Sequence, residues 1–312
     1  MGVAGSAAPW RRIEMEKRFL PGRWVLVLAA GFVAAQLSSA QQLPPTYNPE
    51  SKFDSGQDVV PSFDGWVHNQ DGTFTMVFGY MNRNYKEELV IPAGPDNKIE
   101  PGSSDQGQAT FFQTRRHAWV VFVKVPRDWP VDKELVWSLT SHGRTEKAYA
   151  TLKMEYEIIP RLIQSRGGLS PGYLQDGSVD PNKPPTISAV PVTGASIGSP
   201  LTLTAVVSDD GLPNPRVLVV RPEVAGKKAQ TNSAGPGRGR RGLSVTWYEY
   251  RGPAKMTFDH PEPIQLSPGG VPVTDAKAVT TATFTVPGTY VLRATANDSS
   301  LEQTADLTVT VQ

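Results

Sequence analysis

The sequence predicts an all-β chain: two β-sandwiches in tandem after a cleaved signal peptide. Three observations lead there. Apolar residues recur at every second position in short segments, Gly, Pro, Asn and Asp punctuate those segments, and no convincing apolar recurrence at helical spacing is present. The end of the chain shows the pattern best. Pro287-Gly288 turns the backbone, after which Tyr290, Leu292, Ala294 and Ala296 fall on one face and Val291, Arg293, Thr295 and Asn297 on the other; the run 305–311 returns as a closing strand.

At the other end, Arg11, Arg12, Lys17, Arg18 and Arg23 precede the apolar run 24–37, which stops at Ser38-Ser39-Ala40. A basic region, a short apolar core and small residues before a polar break describe a secretory signal peptide, residues 1–40, cut near Ala40. The run falls short of the about 20 residues that a membrane span needs, so no retained span is expected and the protein is placed in the periplasm or outside the cell. Translation from Met15 would give a more typical signal than translation from Met1. The chain has no cysteine, which excludes disulfides, thiolate metal sites and cysteine nucleophiles and favours a bacterial envelope or extracellular protein. Its formal net charge is +1, and removing the five basic and two acidic residues of the first forty leaves −2. That balance draws the protein to neither nucleic acid nor anionic lipid.

Residues 41–61 are polar and proline-bearing and read as a flexible leader. A first sandwich is expected over 62–158. Its strands are 73–80, with Phe74, Met76, Phe78 and Tyr80 on one face behind the Asp71-Gly72 turn; Leu89-Val90-Ile91, ended by Pro92; and 117–125. In that third segment Trp119, Val121, Val123 and Val125 alternate against Val120, Phe122 and Lys124, as in a central strand covered on both faces. Leu135, Trp137 and Leu139 follow, then one long strand carrying Ala148, Ala150, Leu152, Met154, Tyr156 and Ile158. Residues 159–185, rich in Pro and Gly, read as a linker. The second domain, 186–312, has expected strands at 186–190, 201–208, 243–250 and 279–286 before the closing hairpin. Its segment 212–242 ends in a Gly-Arg tract unsuited to a core and reads as a mobile loop.

In that second domain, Asp209-Asp210-Gly211-Leu212-Pro213, Val245-Thr246-Trp247, Gly252-Pro253, Ala282-Thr283-Phe284, Pro287-Gly288-Thr289-Tyr290 and Asn297-Asp298 occur in an order that resembles the polycystic kidney disease (PKD) type repeat and its bacterial immunoglobulin-like relatives. The resemblance implies that Trp247 packs between the sheets and that Tyr290 ties a corner. The segment 212–242 departs from a compact repeat, and the first domain resembles no family.

Catalytic chemistry is poorly represented. The histidines His68, His117, His142 and His260 are scattered with no His-x-x-x-His pair, and no phosphate-binding glycine loop occurs. Ser141-His142 reads as a polar turn. Glu87-Glu88 and Asp209-Asp210 are neighbours that a strand would point to opposite faces, a poor arrangement for paired acid and base. No enzyme, catalytic residue or cofactor is therefore expected. Asp209, Asp210 and Asp298 could gather at one pole, but calcium takes about six to eight oxygens and local turn bonding accounts for these three, so no metal site is assigned. Trp66, Trp129 and Arg83, with Tyr80, Tyr85, Asn82 and Asn84, are weak candidates for a sugar-binding surface, whereas Trp119 and Trp137 read as core. Arg115-Arg116 and Arg238, Arg240 and Arg241 read as solubilising, or as contacts for an acidic partner. The function expected is a secreted, non-enzymatic structural or interaction protein, an adhesion unit or spacer, with envelope proteins or extracellular polysaccharide as partners. The alternatives are an accessory carbohydrate-binding protein and, third, a hydrolase whose site is not evident.

Overall fold

A computed structural model describes residues 52–166, 178–214 and 242–312. The expected signal peptide, most of the leader, part of the linker, and the Gly-Arg tract with Arg238, Arg240 and Arg241 lie outside the described residues.

The chain opens with a hairpin of β1 (Val59–His68) and β2 (Phe74–Asn82). Asp71 shapes its turn, accepting from the Thr73 amide at 3.0 Å and hydroxyl at 2.6 Å. Then come β3 (Leu89–Val90), β4 (Asn97–Glu100), β5 (Phe111–Phe112), β6 (Arg115–Val125), β7 (Leu135–Ser141) and β8 (Arg144–Ala150). They form one sheet in the order β1-β2-β6, a second in the order β4-β7-β8, and the short pair β3-β5. Met76, Phe78 and Tyr80 alternate inward from β2 and meet Leu135, Trp137 and Leu139 from β7 in one core. Phe78 and Trp137 sit edge to face there, 5.9 Å apart.

After β8 the chain makes a 3-10 turn at Met154–Tyr156 and one short helix, α1 (Pro160–Gln164), with proline in its first turn. The remaining strands are β9 (Thr186–Ala189), β10 (Leu201–Asp209), β11 (Leu243–Arg251), β12 (Thr257–Phe258), β13 (Ile264–Ser267), β14 (Val273–Thr283), β15 (Gly288–Asn297) and β16 (Glu302–Val311). They make two four-stranded sheets, β12-β14-β10-β9 and β13-β11-β15-β16. Between them lies a second core of Leu203, Ala205 and Val207, Val245 and Trp247, Leu292 and Ala294, and Val309 and Val311. Tyr290 is fully buried against Phe284, and its hydroxyl donates to the Val286 carbonyl at 3.0 Å, four residues upstream.

The two sandwiches are packed together. Tyr250 of β11 is part of the first core, with Tyr248 and Val291 packed on it. Thr110 donates its amide to the Tyr250 carbonyl at 3.2 Å and accepts at its hydroxyl from the Gly252 amide at 3.0 Å. The Tyr250 hydroxyl donates to the Gly107 carbonyl at 2.7 Å, and Arg251 pairs with Asp105 at 2.6 Å. The outer face of the sheet β13-β11-β15-β16 is therefore covered in part, around Tyr248, Tyr250 and Val291. No helix among the described residues is long and apolar enough to cross a membrane.

Three expected features differ. The long strand over 148–158 ends at Ala150, because the chain turns at Met154–Tyr156 and leaves Met154 exposed. The segment 117–125 belongs to an edge strand of its sheet, with Phe122 44% exposed. Trp119 leaves the alternation that continues through Val121, Val123 and Val125, because β6 bulges there. His117 stands opposite Tyr80 and Val121 opposite Phe78, so the three residues between them face Gly79 alone.

Candidate functional site

That bulge shapes a recess between the sandwiches. Across β2, strand β1 is also irregular, between Phe63 and Gly65, so Asp64 is the extra residue. Asp64 uses one carboxylate oxygen to accept from the Trp119 amide at 2.8 Å and the other to pair with Arg116 at 2.5 Å. Trp119 has a left-handed backbone, φ 53, which the Asp64 bond holds in place. Gly79 lies beneath this node. A methyl group there would collide with Asp64, the Arg116 guanidinium and the His117 carbonyl.

The bulge turns residues 117–120 toward a cleft of about 540 Å3. The outer face of β11, β15 and β16 forms its floor, β6 one wall and α1 another. The strand registers arrange the floor in cross-strand rows: Ser244, Asn297 and Glu302; Thr246, Thr295 and Thr304; Tyr248, Arg293 and Asp306. The third row closes the cleft on the first sandwich. Arg293 donates to both Asp306 carboxylate oxygens at 2.6 and 2.9 Å and to the Val120 carbonyl at 3.0 Å, and its guanidinium lies 3.7 Å from the Tyr250 ring centre. Burial opposes the Arg293 charge, but the Asp306 bond and the neighbouring tyrosines outweigh it, and its pKa rises.

The other charges at the cleft are also settled. Arg166 holds both Glu302 oxygens, at 2.9 and 3.0 Å. Burial lowers the pKa of His117, which stacks on Tyr80 at 5.0 Å and lies 3.0 Å from the Thr114 carbonyl through Nε2; as a neutral ring it donates there and keeps Nδ1 as an acceptor.

A second constellation occupies one end of the second sandwich. Asp209 accepts from the Gly211 amide at 2.9 Å, Asp210 from the amides of Leu212 at 2.9 Å and Lys183 at 3.0 Å, and Asp298 from those of Ser300 at 2.6 Å and Leu301 at 2.7 Å. Turn bonding thus uses one oxygen each of Asp209 and Asp298. Asp209 Oδ1 remains buried with no hydrogen-bond partner, and the rest of the buried Asp298 carboxylate lies beside the Asn182 side chain. Burial, with the charges of Asp298 and Asp210 added, pushes the Asp209 carboxyl up to about 6; burial likewise raises Asp298. No group of three or more His, Asp or Glu side chains is placed to hold a metal among the described residues. The buried oxygens available to a cation are two carboxylates and the Asn182 amide.

The three candidate ligand residues do not share a surface. Trp66 is 7% exposed, donates its indole N–H to the Lys153 carbonyl at 2.8 Å and packs edge-on against Phe74. Trp129 is half-buried on the first core, its N–H on the Lys133 carbonyl and the Lys133 ammonium 4.1 Å from its ring centre. Arg83 is bound to the buried Asp58 through two contacts of 3.0 and 3.1 Å. It follows β2, whereas Trp66 lies seven positions along β1 from Val59, the partner of Asn82, and a strand rises about 3.3 Å per residue. In the second core Trp247 is 3% exposed. Tyr248, Arg293 and the threonine row escaped the sequence reading because their partners are remote in sequence; the outward half of each alternation was the available signal.

No protein-family model and no curated protein matches the chain. Among solved structures, the PKD domain of an M14-like peptidase from a Thermoplasmatales archaeon is similar, at 20% identity over 42% of this chain and 96% of that one, with a TM-score of 0.22. The D00-D0 domain of intimin is similar at 10% identity over 82% of this chain and 100% of that one, TM-score 0.23. The S-layer protein rSbsC is similar at 11% identity over 82% of this chain and 28% of that one, TM-score 0.22.

Proposed function

We propose that the chain is an exported, non-enzymatic interaction or spacer protein in which domains 62–158 and 186–312 act as one stiff unit. The observation that supports this best is the packed junction. The outer face of the sheet β13-β11-β15-β16 packs on the first core at Tyr248, Tyr250 and Val291, and Arg293 ties β15 and β16 to the β6 backbone. A unit of this kind holds whatever it binds at a set distance and transmits force without a hinge. Ser141 and His142 have structural engagements: the Ser141 hydroxyl accepts from the Val59 amide at 3.0 Å, and His142 faces Glu87 at 3.3 Å. The basic start and apolar run of residues 1–40 support export, and N-terminal sequencing of the exported protein is expected to begin after Ala40. Immobilised residues 41–312 are expected to retain envelope proteins or extracellular polymer saturably while releasing no product from them. Turnover of a retained polymer would overturn the reading.

A second reading concerns the acidic end. The buried Asp209 Oδ1, which has no hydrogen-bond partner, and the Asp298 carboxylate beside Asn182 favour a divalent cation that stiffens the second sandwich. Calcium in excess of its dissociation constant is expected to raise the melting temperature over that in chelator. Equal midpoints would remove this reading.

A further inference from the structure

We infer that the cleft between the sandwiches is a binding site for a neutral, hydroxyl-rich oligosaccharide. The argument begins with charge. The arginines and the histidine that line the cleft are satisfied within the protein or neutral: Arg293 by Asp306, Arg166 by Glu302, and His117 as a neutral ring. A charged ligand would have to break a bidentate pair to be recognised, which costs more than a rim contact returns.

What the cleft leaves open is neutral. The side chains of Gln113, Gln164, Ser244, Thr246, Thr295 and Thr304 line it and make no hydrogen bond to any described residue. Thr246, Thr295 and Thr304 stand in register across three strands, so their hydroxyls repeat at about the 4.8 Å strand spacing. Amides and hydroxyls both donate and accept, which suits the mixed donor and acceptor edge of a sugar rather than an anion or cation. Beside them are aromatic rings. Trp119 is turned into the cleft by the bulge, and Phe122 is 44% exposed. Such rings suit the apolar C–H faces of a sugar ring. A volume of about 540 Å3 lies within the range of small-ligand sites.

This inference rests on the reading that the chain acts by binding, and its test separates the two. Tryptophan fluorescence of residues 41–312 would be titrated with hexamers of neutral glucan, xylan, mannan and chitin, with an alginate hexamer as the anionic comparison, at about 50 and 500 mM salt. At least one neutral hexamer is expected to bind saturably, with less than about a twofold change between the two salts. Thr246→Val with Thr295→Val keeps β-branched residues in the strands and removes two hydroxyls, and binding is expected to weaken about tenfold. Gln113→Ala with Gln164→Ala, on the walls, is a second variant that spares the sheet. Failure of every neutral hexamer to bind, preference for alginate that salt abolishes, or unchanged affinity in both folded variants would each overturn the assignment. Retention of an envelope protein without any glycan binding would overturn the cleft assignment alone and leave the interaction reading in place.

Discussion

Glu249 shows how one buried residue can set the acid–base behaviour of the molecule. It is 3% exposed, accepts from the Met256 amide at 3.1 Å through one oxygen and leaves the other buried without a partner. Burial pushes its carboxyl from 4.5 up to about 7. A folded pKa above the unfolded one means that the stability this group contributes is full below about pH 4.5 and lost as pH rises through 7. Asp209 acts in the same direction between about 4 and 6. Denaturant midpoints in chelator are therefore expected to fall from pH 4.5 to pH 8. Glu249→Gln, neutral at every pH, should recover about 3 kcal/mol at pH 8. Equal midpoints for parent and variant at pH 8 would refute this. Residues of the opposite kind are Asn82, Asn84 and Asn97, fully buried yet satisfied. Asn82 donates to the carbonyls of Glu87 and Phe112, and Asn97 to those of Ile91 and Ala109 while accepting from the Trp137 indole. The segment Phe78-Gly79-Tyr80-Met81-Asn82-Arg83-Asn84-Tyr85 is distinctive in sequence because it supplies these backbone-like bonds where the ladder ends.

At the scale of the element, the paired irregularities of β1 and β6 deserve a direct test. Asp64 and Trp119 are extra residues in adjoining parts of one sheet, and both depend on the bare backbone of Gly79 between them. Gly79→Ala should cost about 1 to 3 kcal/mol of unfolding free energy and release Trp119, shifting its fluorescence toward that of a solvated indole. A variant as stable as the parent with unchanged emission would mean that the bulge does not need the glycine. The neighbouring Gly65 has a different role. Its φ of 124 and the Tyr156 carbonyl, 2.7 Å from where a Cβ would lie, bring the 3-10 turn against β1. That contact, with the Ile158 amide on the Trp66 carbonyl at 2.8 Å, is why an alternating sequence over 148–158 crosses the sheet end instead of extending β8.

For the whole molecule, the junction predicts cooperativity. Tyr250 belongs to the core of the first sandwich while its strand builds the second, so neither half unfolds without exposing apolar surface of the other. Calorimetry on residues 41–312 should show one transition. Arg293→Met keeps much of the side chain's bulk but removes the bonds to Asp306 and Val120, and is expected to cost about 2 to 3 kcal/mol and to split the transition in two. Two transitions already present in the parent would refute the stiff-unit reading.

The sequence specified the longer strands and most of their inward faces, since alternation at period two and Gly-Pro punctuation are local and survive in any sandwich, while β1 and the short strands β4, β5, β12 and β13 went unread. The roles of Trp247 and Tyr290 were legible through the resemblance to PKD-type repeats. It also restricted the chemistry, through the missing cysteines and scattered histidines. The cleft, the Arg293 tie and the row Thr246, Thr295 and Thr304 were not legible. They depend on which strands become neighbours and on where the first sandwich meets the outer face of the second, and those contacts join residues as far apart as Val120 and Arg293. Hydrophobic pattern states that a face is buried; the partner that buries it is chosen by packing over the whole chain.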